Sequence, residues 1–209
     1  MPVDLDPVSA SVRPTLDRRF AAREIGLANC RKVIRASANA IRNLHRDDAA
    51  AADRLIAEAA TLLAEAQEAL ADHPDVLYAG FVSDAAKEFA EASLTRALFA
   101  ADPLPLHLDL AIDPVPFLHG LGEAVGECRR RLLDRLRAGD LVEAETMLAA
   151  MDAIVDLLAD LDYPDGMTSG LRRTTDVARS LAERSRSDLT ATVVQERLRD
   201  DLKRANRIP

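Results

Sequence analysis

The chain is 209 residues long, 48% apolar yet only 3% aromatic, without tryptophan, and it carries a formal charge of −8 with a pI near 5.1. A chain of that length can bury roughly 70% of its unfolded surface in one domain, and the alanine- and leucine-rich composition with few β-branched runs favours helices over strands. The charge excludes long-range attraction to nucleic acid or anionic membrane, so any polyanion must be met by a local patch.

The opening MPVDLDPVSA lacks the basic and apolar regions of a secretion signal, and no run of about 18 uncharged apolar residues follows, so a membrane span is not expected. Cys30 and Cys128 lie far apart without metal or disulfide spacing, the usage expected of a reducing, cytoplasmic setting. Two helical blocks are predicted between Pro14 and Pro74, over about 15–46 and 49–71, parted at HRDD where Asp47 or Asp48 can cap the second. A third runs from Pro74 to about Ala101. DPLPLHLDLAIDPVP, 102–116, has four prolines and reads as the one real linker, the only place for a short extended segment. The fourth block starts at Pro114 or Pro116 and stops at Ala138–Gly139, Asp140 caps a fifth that ends at DYPDG, and a sixth covers about 168–186. A weaker, polar seventh begins near Leu189. The expectation is one all-α domain over 1–209, an antiparallel bundle of six to seven helices, with 1–14 and about 187–209 less ordered or peripheral.

Two acidic pairs stand out. Glu88 and Glu91 are three apart in AKEFAEA and share a face, with Glu88 in the same direction as Leu77, Phe81, Ala92 and Phe99. A carboxylate in an apolar stripe needs a raised pKa, a basic partner or a cation. Glu123 and Glu127 lie one turn apart in FLHGLGEAVGEC, opposite Leu121, Val125, Cys128 and Leu132, and read as solvated. That same helix holds Gly120, Gly122 and Gly126, each costing roughly 1 kcal/mol against alanine, so close packing or room for a ligand must offset them. Most acidic pairs on helices are merely solvated faces, and the residues alone support a helical bundle with a possible carboxylate metal site and no particular reaction. No Glu-x-x-His occurs on either helix, which disfavours a di-iron carboxylate bundle. His107 and His119 flank the start of the fourth block without pointing to a general base, and a Cys–His nucleophile is unsupported.

Several strings resemble the translin family, which includes translin and its catalytic relative, translin-associated factor X. REIGLANCRKVIRASANAIRNLHR is similar to the family's long first helix, AKEFAEA to its Q-E-Y-V-E-A pattern, and HLDLAIDPVPFLHGLGEAVGECRR to H-L-D-V followed by L-x-G-x-x-[DE]-x-x-G-E-L-x-R. LRAGDLVEAETML and DYPDGMTSGLRRTTDVARSL resemble the later helices, and the likeness spans about 15–185. It implies that Glu88, Glu91 and Glu123 bind a catalytic cation, Mg²⁺ or Mn²⁺, with Glu127 as a fourth acid beside them. Glu123 stands where the family carries Asp. The basic nucleic-acid segment of translin itself falls here on Leu77, Ala79, Phe81 and Ser83, which favours the likeness to the catalytic relative.

The function so implied is a metal-dependent endoribonuclease on single-stranded RNA, acting in a homo-oligomeric shell that the resemblance makes an octamer. Alternatives are a non-catalytic binder of single-stranded RNA or DNA, or a structural subunit that activates a partner nuclease. Arginines outnumber lysines by 24 to 3, so phosphate contacts are expected from guanidinium forks. Arg130 and Arg131, within two turns of Glu123, are the first candidates, then Arg31 and Arg35 on the stripe shared with Arg42 and Arg46. Arg172, Asp176, Arg179, Glu183 and Arg186 alternate in sign and read as surface lacing.

Overall fold

A computed structural model describes residues 3–205. Eight helices and no strand occur among the described residues: α1 (Asp6–Leu44), α2 (Ala49–Ala69), α3 (Pro74–Leu77), α4 (Phe81–Ala100), α5 (Pro114–Ala138), α6 (Leu141–Asp160), α7 (Asp165–Thr168) and α8 (Leu171–Ala205). Six are long and two are single turns, so the chain is all-α, as its composition implies.

The stops and starts follow local chemistry. Asp48 accepts a hydrogen bond from the Ala51 amide at 3.0 Å, Asp113 from Val115 at 2.9 Å and Asp140 from Glu143 at 3.0 Å, each satisfying a donor the first turn leaves open. Gly139, at φ 79°, ends α5 in the left-handed region that costs glycine nothing.

Four boundaries differ from the sequence reading. α1 begins at Asp6 and runs through Pro14, because this stretch is exposed and the hydrogen bond that proline removes falls in water. The block 74–101 is broken at Gly80, whose φ of 99° turns the chain between α3 and α4. The linker after α4 forms turns and no extended pairing. The sixth and seventh blocks are one helix, α8, since nothing between Arg186 and Leu189 breaks it. Both expected peripheral segments are helical and largely exposed where described; residues 1–2 and 206–209 lie outside the described residues.

Direction can be read from contacts. Asp53 of α2 pairs with Arg96 near the far end of α4, and Glu143 at the start of α6 meets Arg131 and Arg135 late in α5. The end of α6 at Leu158 shares a cavity with Leu171 and Thr175 at the start of α8, whereas Asp152 earlier in α6 meets Arg186 later in α8. Those neighbours are antiparallel. α4 and α5 instead run the same way: Gly120 abuts Lys87 to Glu91, while Arg131 lies over the Phe99 ring. The proline-rich segment 101–113 exists to carry the chain back to the beginning of α4 before α5 starts.

Packing then explains the site's location. Leu63, Leu94, Val125, Leu132 and Met151 are fully buried, drawn from α2, α4, α5 and α6. α4 packs on α1, α2 and α5 and is buried on nearly every face, so any carboxylate in its middle is held between helices.

Candidate metal centre

Glu88 and Glu91 of α4 and Glu123 of α5 converge, each offering an oxygen within 4.8 Å of the other two. Gly120 makes this possible. A Cβ there would stand 2.7 Å from the Lys87 carbonyl oxygen and 2.9 Å from the Glu91 amide nitrogen, so only a bare backbone lets α5 settle on this turn of α4. Gly122 does the same toward α8, where a Cβ would lie 2.4 Å from Thr174 Cγ2. Gly126 is different, its hypothetical Cβ meeting only Leu181 at 3.9 Å. Two of the three glycines therefore repay their helix penalty by close approach.

Burial within the triad reverses the sequence reading. Glu88, expected deep in the apolar stripe, keeps 27% of its side chain exposed, whereas Glu91 is only 9% exposed. Glu123 is the outermost, at 39% of its side chain. Glu91 has no hydrogen-bond or ion-pair partner among the described residues. Desolvation, then repulsion from Glu123, Glu88 and Glu127, pushes its carboxyl up to about 8, with only Lys87 pulling the other way.

Lys87, which sequence reasoning passed over, fills the role of counter-charge. Its ammonium donates to Glu123 Oε1 at 2.8 Å and lies 3.3 Å from Glu88 Oε1. Burial works against that ammonium, but the bonds and attraction to Glu123 and then Glu88 hold its pKa above the usual lysine value. The available signal was scarcity, since Lys87 is one of three lysines and directly precedes Glu88.

Glu127 is not part of the converging set. Its carboxylate accepts from His45 Nε2 at 2.5 Å; His45 is buried, set edge-on to Phe99, and its Nδ1 has no partner. Had the fold left Glu127 free, helical spacing would direct it toward Glu123's neighbourhood; the imidazole at the end of α1 holds it aside. His45 was also missed, because its partner lies 82 residues away.

The arginines separate into two groups. Arg131 is not an available phosphate contact, contrary to expectation: it donates to Asp47 at 2.6 Å and to Glu143 at 2.7 Å and covers Phe99 at 5.0 Å, leaving 12% of its side chain exposed. Arg130 is exposed without an ion pair among the described residues, and it shares Glu123's direction about 10 Å farther along the helix. Arg31 and Arg35 are exposed on α1. His119 is occupied by Thr174 Oγ1 at 2.8 Å and the Thr168 carbonyl at 2.9 Å. Burial raises the Cys128 thiol to about 12 and Cys30 to about 11, which removes both as nucleophiles.

A hard divalent cation fits the donor set. Three carboxylates from two helices supply oxygen ligands only, and one of them is largely buried and without a donor. Oxygens on a Mg²⁺ octahedron would stand about 2.9 Å apart when adjacent and about 4.2 Å when opposite, so the three carboxylates would have to draw inward to share an ion.

No protein-family model matches the chain. Solved structures do. AfC3PO of Archaeoglobus, alone and in a complex with duplex RNA, is 34% identical with a TM-score of 0.82; the alignment covers 89% of this chain and 97% and 96% of the respective structures. The structure of apo-NeC3PO, 19% identical over 92% of this chain and 98% of its own, superposes with a TM-score of 0.76 and shares the fold. An uncharacterized protein of Methanocaldococcus jannaschii is 28% identical over 194 residues, 90% of this chain and 84% of that protein.

Proposed function

Because the chain belongs to the translin family, alongside the C3PO proteins, we propose that it is a divalent-cation-dependent endoribonuclease whose metal ligands are Glu88, Glu91 and Glu123. The observation that carries this reading is the meeting of three carboxylates, one of them almost fully buried, across the α4–α5 contact. Isolated acids of that kind are costly to bury, and the fold has spent Gly120 to bring them together. The relative solved with duplex RNA supports RNA as the substrate class.

A Mg²⁺ or Mn²⁺ ion held there would lower the pKa of a water and offset charge on a phosphate oxygen. The chain's own residues set the geometry. Glu91 would anchor the site at its most buried corner, while Glu88 and Glu123 reach from the two helices toward the more exposed side. Lys87 neutralises Glu88 and Glu123 in the metal-free protein, and a cation held by these acids would have to displace its ammonium from Glu123. Arg130, exposed on Glu123's face, is the group we assign to the RNA backbone, with Arg31 and Arg35 as further contacts on α1. Glu127, held by His45, buttresses the site as a neighbouring negative charge.

The decisive assay incubates the purified protein with single-stranded and duplex RNA oligonucleotides, with Mg²⁺, with Mn²⁺ and with EDTA, beside Glu88→Gln and Glu123→Gln. Cleavage should need the cation and fall at least about a hundredfold in either variant, the rate equivalent of the several kcal/mol a bound cation supplies. Undiminished cleavage in the double variant would overturn the site. Lys87 favours one competing reading, in which its ion pairs with the acids are purely structural and the protein only binds nucleic acid; RNA binding that survives EDTA with no products formed would select it. Assembly into a homo-oligomeric shell is part of the proposal, and the apolar residues exposed along α1 support it.

A further inference from the structure

Beside the acidic triad, α5 and α8 part to leave an open groove of about 440 Å³, within the roughly 300–1,000 Å³ of small-molecule sites. One wall is Glu91, Gly122 and Glu123; the other is Arg173, Thr174, Val177 and Leu181. The contact of Gly122 with Thr174 fixes the separation of the helices, so the groove's width is set by packing rather than by loops.

The α8 wall is unusual in two respects. Arg173, Val177 and Leu181 recur every four residues and so form one stripe facing the acids. Val177 is 55% exposed, although buried alanine and leucine dominate the adjacent face of the helix. The arginines nearby are engaged, Arg172 with Asp162, Arg179 with Asp176 and Arg186 with Asp152. Arg173 alone of these four has no ion-pair partner among the described residues, even though Glu123 lines the same groove and takes Lys87 instead.

We infer that this groove holds the nucleotide that flanks the scissile bond of the RNA strand. Its base lies against Val177 and Leu181, and its phosphate is met by the Arg173 guanidinium. The inference rests on the ribonuclease reading and deepens it by giving the site a subsite of its own. The chemistry is complementary on each side: an apolar wall for the face of a base, a free fork of donors for a phosphate, and carboxylates whose charge the Lys87 ammonium already offsets in the metal-free protein. An apolar wall without an aromatic ring tolerates every base, so the subsite orders the strand without reading its sequence.

The test is equilibrium binding of a fluorescent single-stranded oligoribonucleotide in EDTA, where no cleavage occurs, to the wild type, Arg173→Ala and Val177→Asn, with cleavage kinetics in Mg²⁺ alongside Glu123→Gln. Both substituted side chains are exposed, so thermal melting should be unchanged. Arg173→Ala is expected to raise Kd about tenfold and to flatten the salt dependence by about one counterion. Val177→Asn should raise Kd about fivefold with the salt slope intact, as loss of an apolar contact requires. In Mg²⁺ both changes should appear mainly in KM. Wild-type Kd and salt slope in both variants would overturn the subsite, while loss of cleavage in Glu123→Gln would leave the catalytic reading standing. Weakened binding in both variants together with cation-independent cleavage would do the reverse, retaining the groove and retiring the metal site. A wild type that binds no RNA would overturn both.

Discussion

Lys87 gives the triad its charge balance, and two predictions follow at the scale of single side chains. Its ammonium must leave Glu123 before a cation can take both carboxylates, so Lys87→Met should tighten Mn²⁺ binding about tenfold, the effect of removing one competing ion pair at a half-buried site. Titration calorimetry with Mn²⁺ alone measures this without reference to activity, and unchanged or weaker affinity would refute the competition. The second prediction concerns pH. Glu91 ionises near 8 in the fold against an ordinary value of 4.5. The native state therefore holds a proton that the unfolded chain has released, and stability falls as pH rises from about 4.5 to 8. Its contribution is fully present below the lower value. Urea melts of metal-free protein should show this decline, and Glu91→Gln, neutral at every pH, should flatten it; an equal decline in the variant would show that other groups carry it. Sequence reasoning named all three converging acids but singled out Glu88 as the buried one, where the structure buries Glu91. The stripe argument assumes one buried face, and α4 is enclosed by α1, α2 and α5, so angular position on the helix no longer measures depth.

At the scale of helices, the three glycines of α5 separate packing from propensity. Gly120→Ala would drive a methyl group into the backbone of α4. Backbone cannot rotate away as a side chain can, so the cost should be about 1–3 kcal/mol, accompanied by loss of Mn²⁺ affinity as α5 is pushed off the triad. Gly126→Ala meets nothing closer than 3.9 Å and should instead stabilise by up to about 1 kcal/mol from helix propensity. Chemical denaturation of the two variants gives opposite signs if the glycines have these separate roles, and equal destabilisation would refute the assignment. The same contrast explains what was legible beforehand. Asp48, Pro114, Asp140 and Gly139 announce helix ends because such signals act within a few residues. Pro14 misled because a proline breaks a helix only where its missing bond matters, and here the bond faces water. The parallel course of α4 and α5, and the pairing of His45 with Glu127, are products of distant contacts that no local pattern encodes.

Across the whole molecule, the first half of α1 is the feature that a lone subunit leaves unexplained. Between residues 3 and 21 only Ser9 is less than exposed, yet Val8, Val12, Leu16 and Phe20 repeat every four residues along one line, with Phe20 64% exposed. Val194, Leu198 and Leu202 form a similar line near the end of α8. A helix that presents such a stripe to water gains nothing from it, whereas burial against another copy would recover roughly 1.5–3 kcal/mol for each large side chain. The prediction is that the protein is larger in solution than its 22.7 kDa chain, and that Leu16→Glu with Phe20→Glu lowers the mass while leaving helical content unchanged, measured by light scattering and circular dichroism. A wild type that is monomeric at micromolar concentration would refute it. The outcome also bears on how a chain of charge −8 would take up the RNA proposed as its substrate. In an isolated subunit the acidic total opposes approach at long range. Copies arranged so that exposed arginines face a common space would raise the local positive density around each acidic site, and acidic residues on the outside would then favour solubility without repelling the substrate. RNA affinity should therefore fall in the dissociated variant even though neither substitution touches the triad or the groove, and an unchanged Kd would separate assembly from substrate capture.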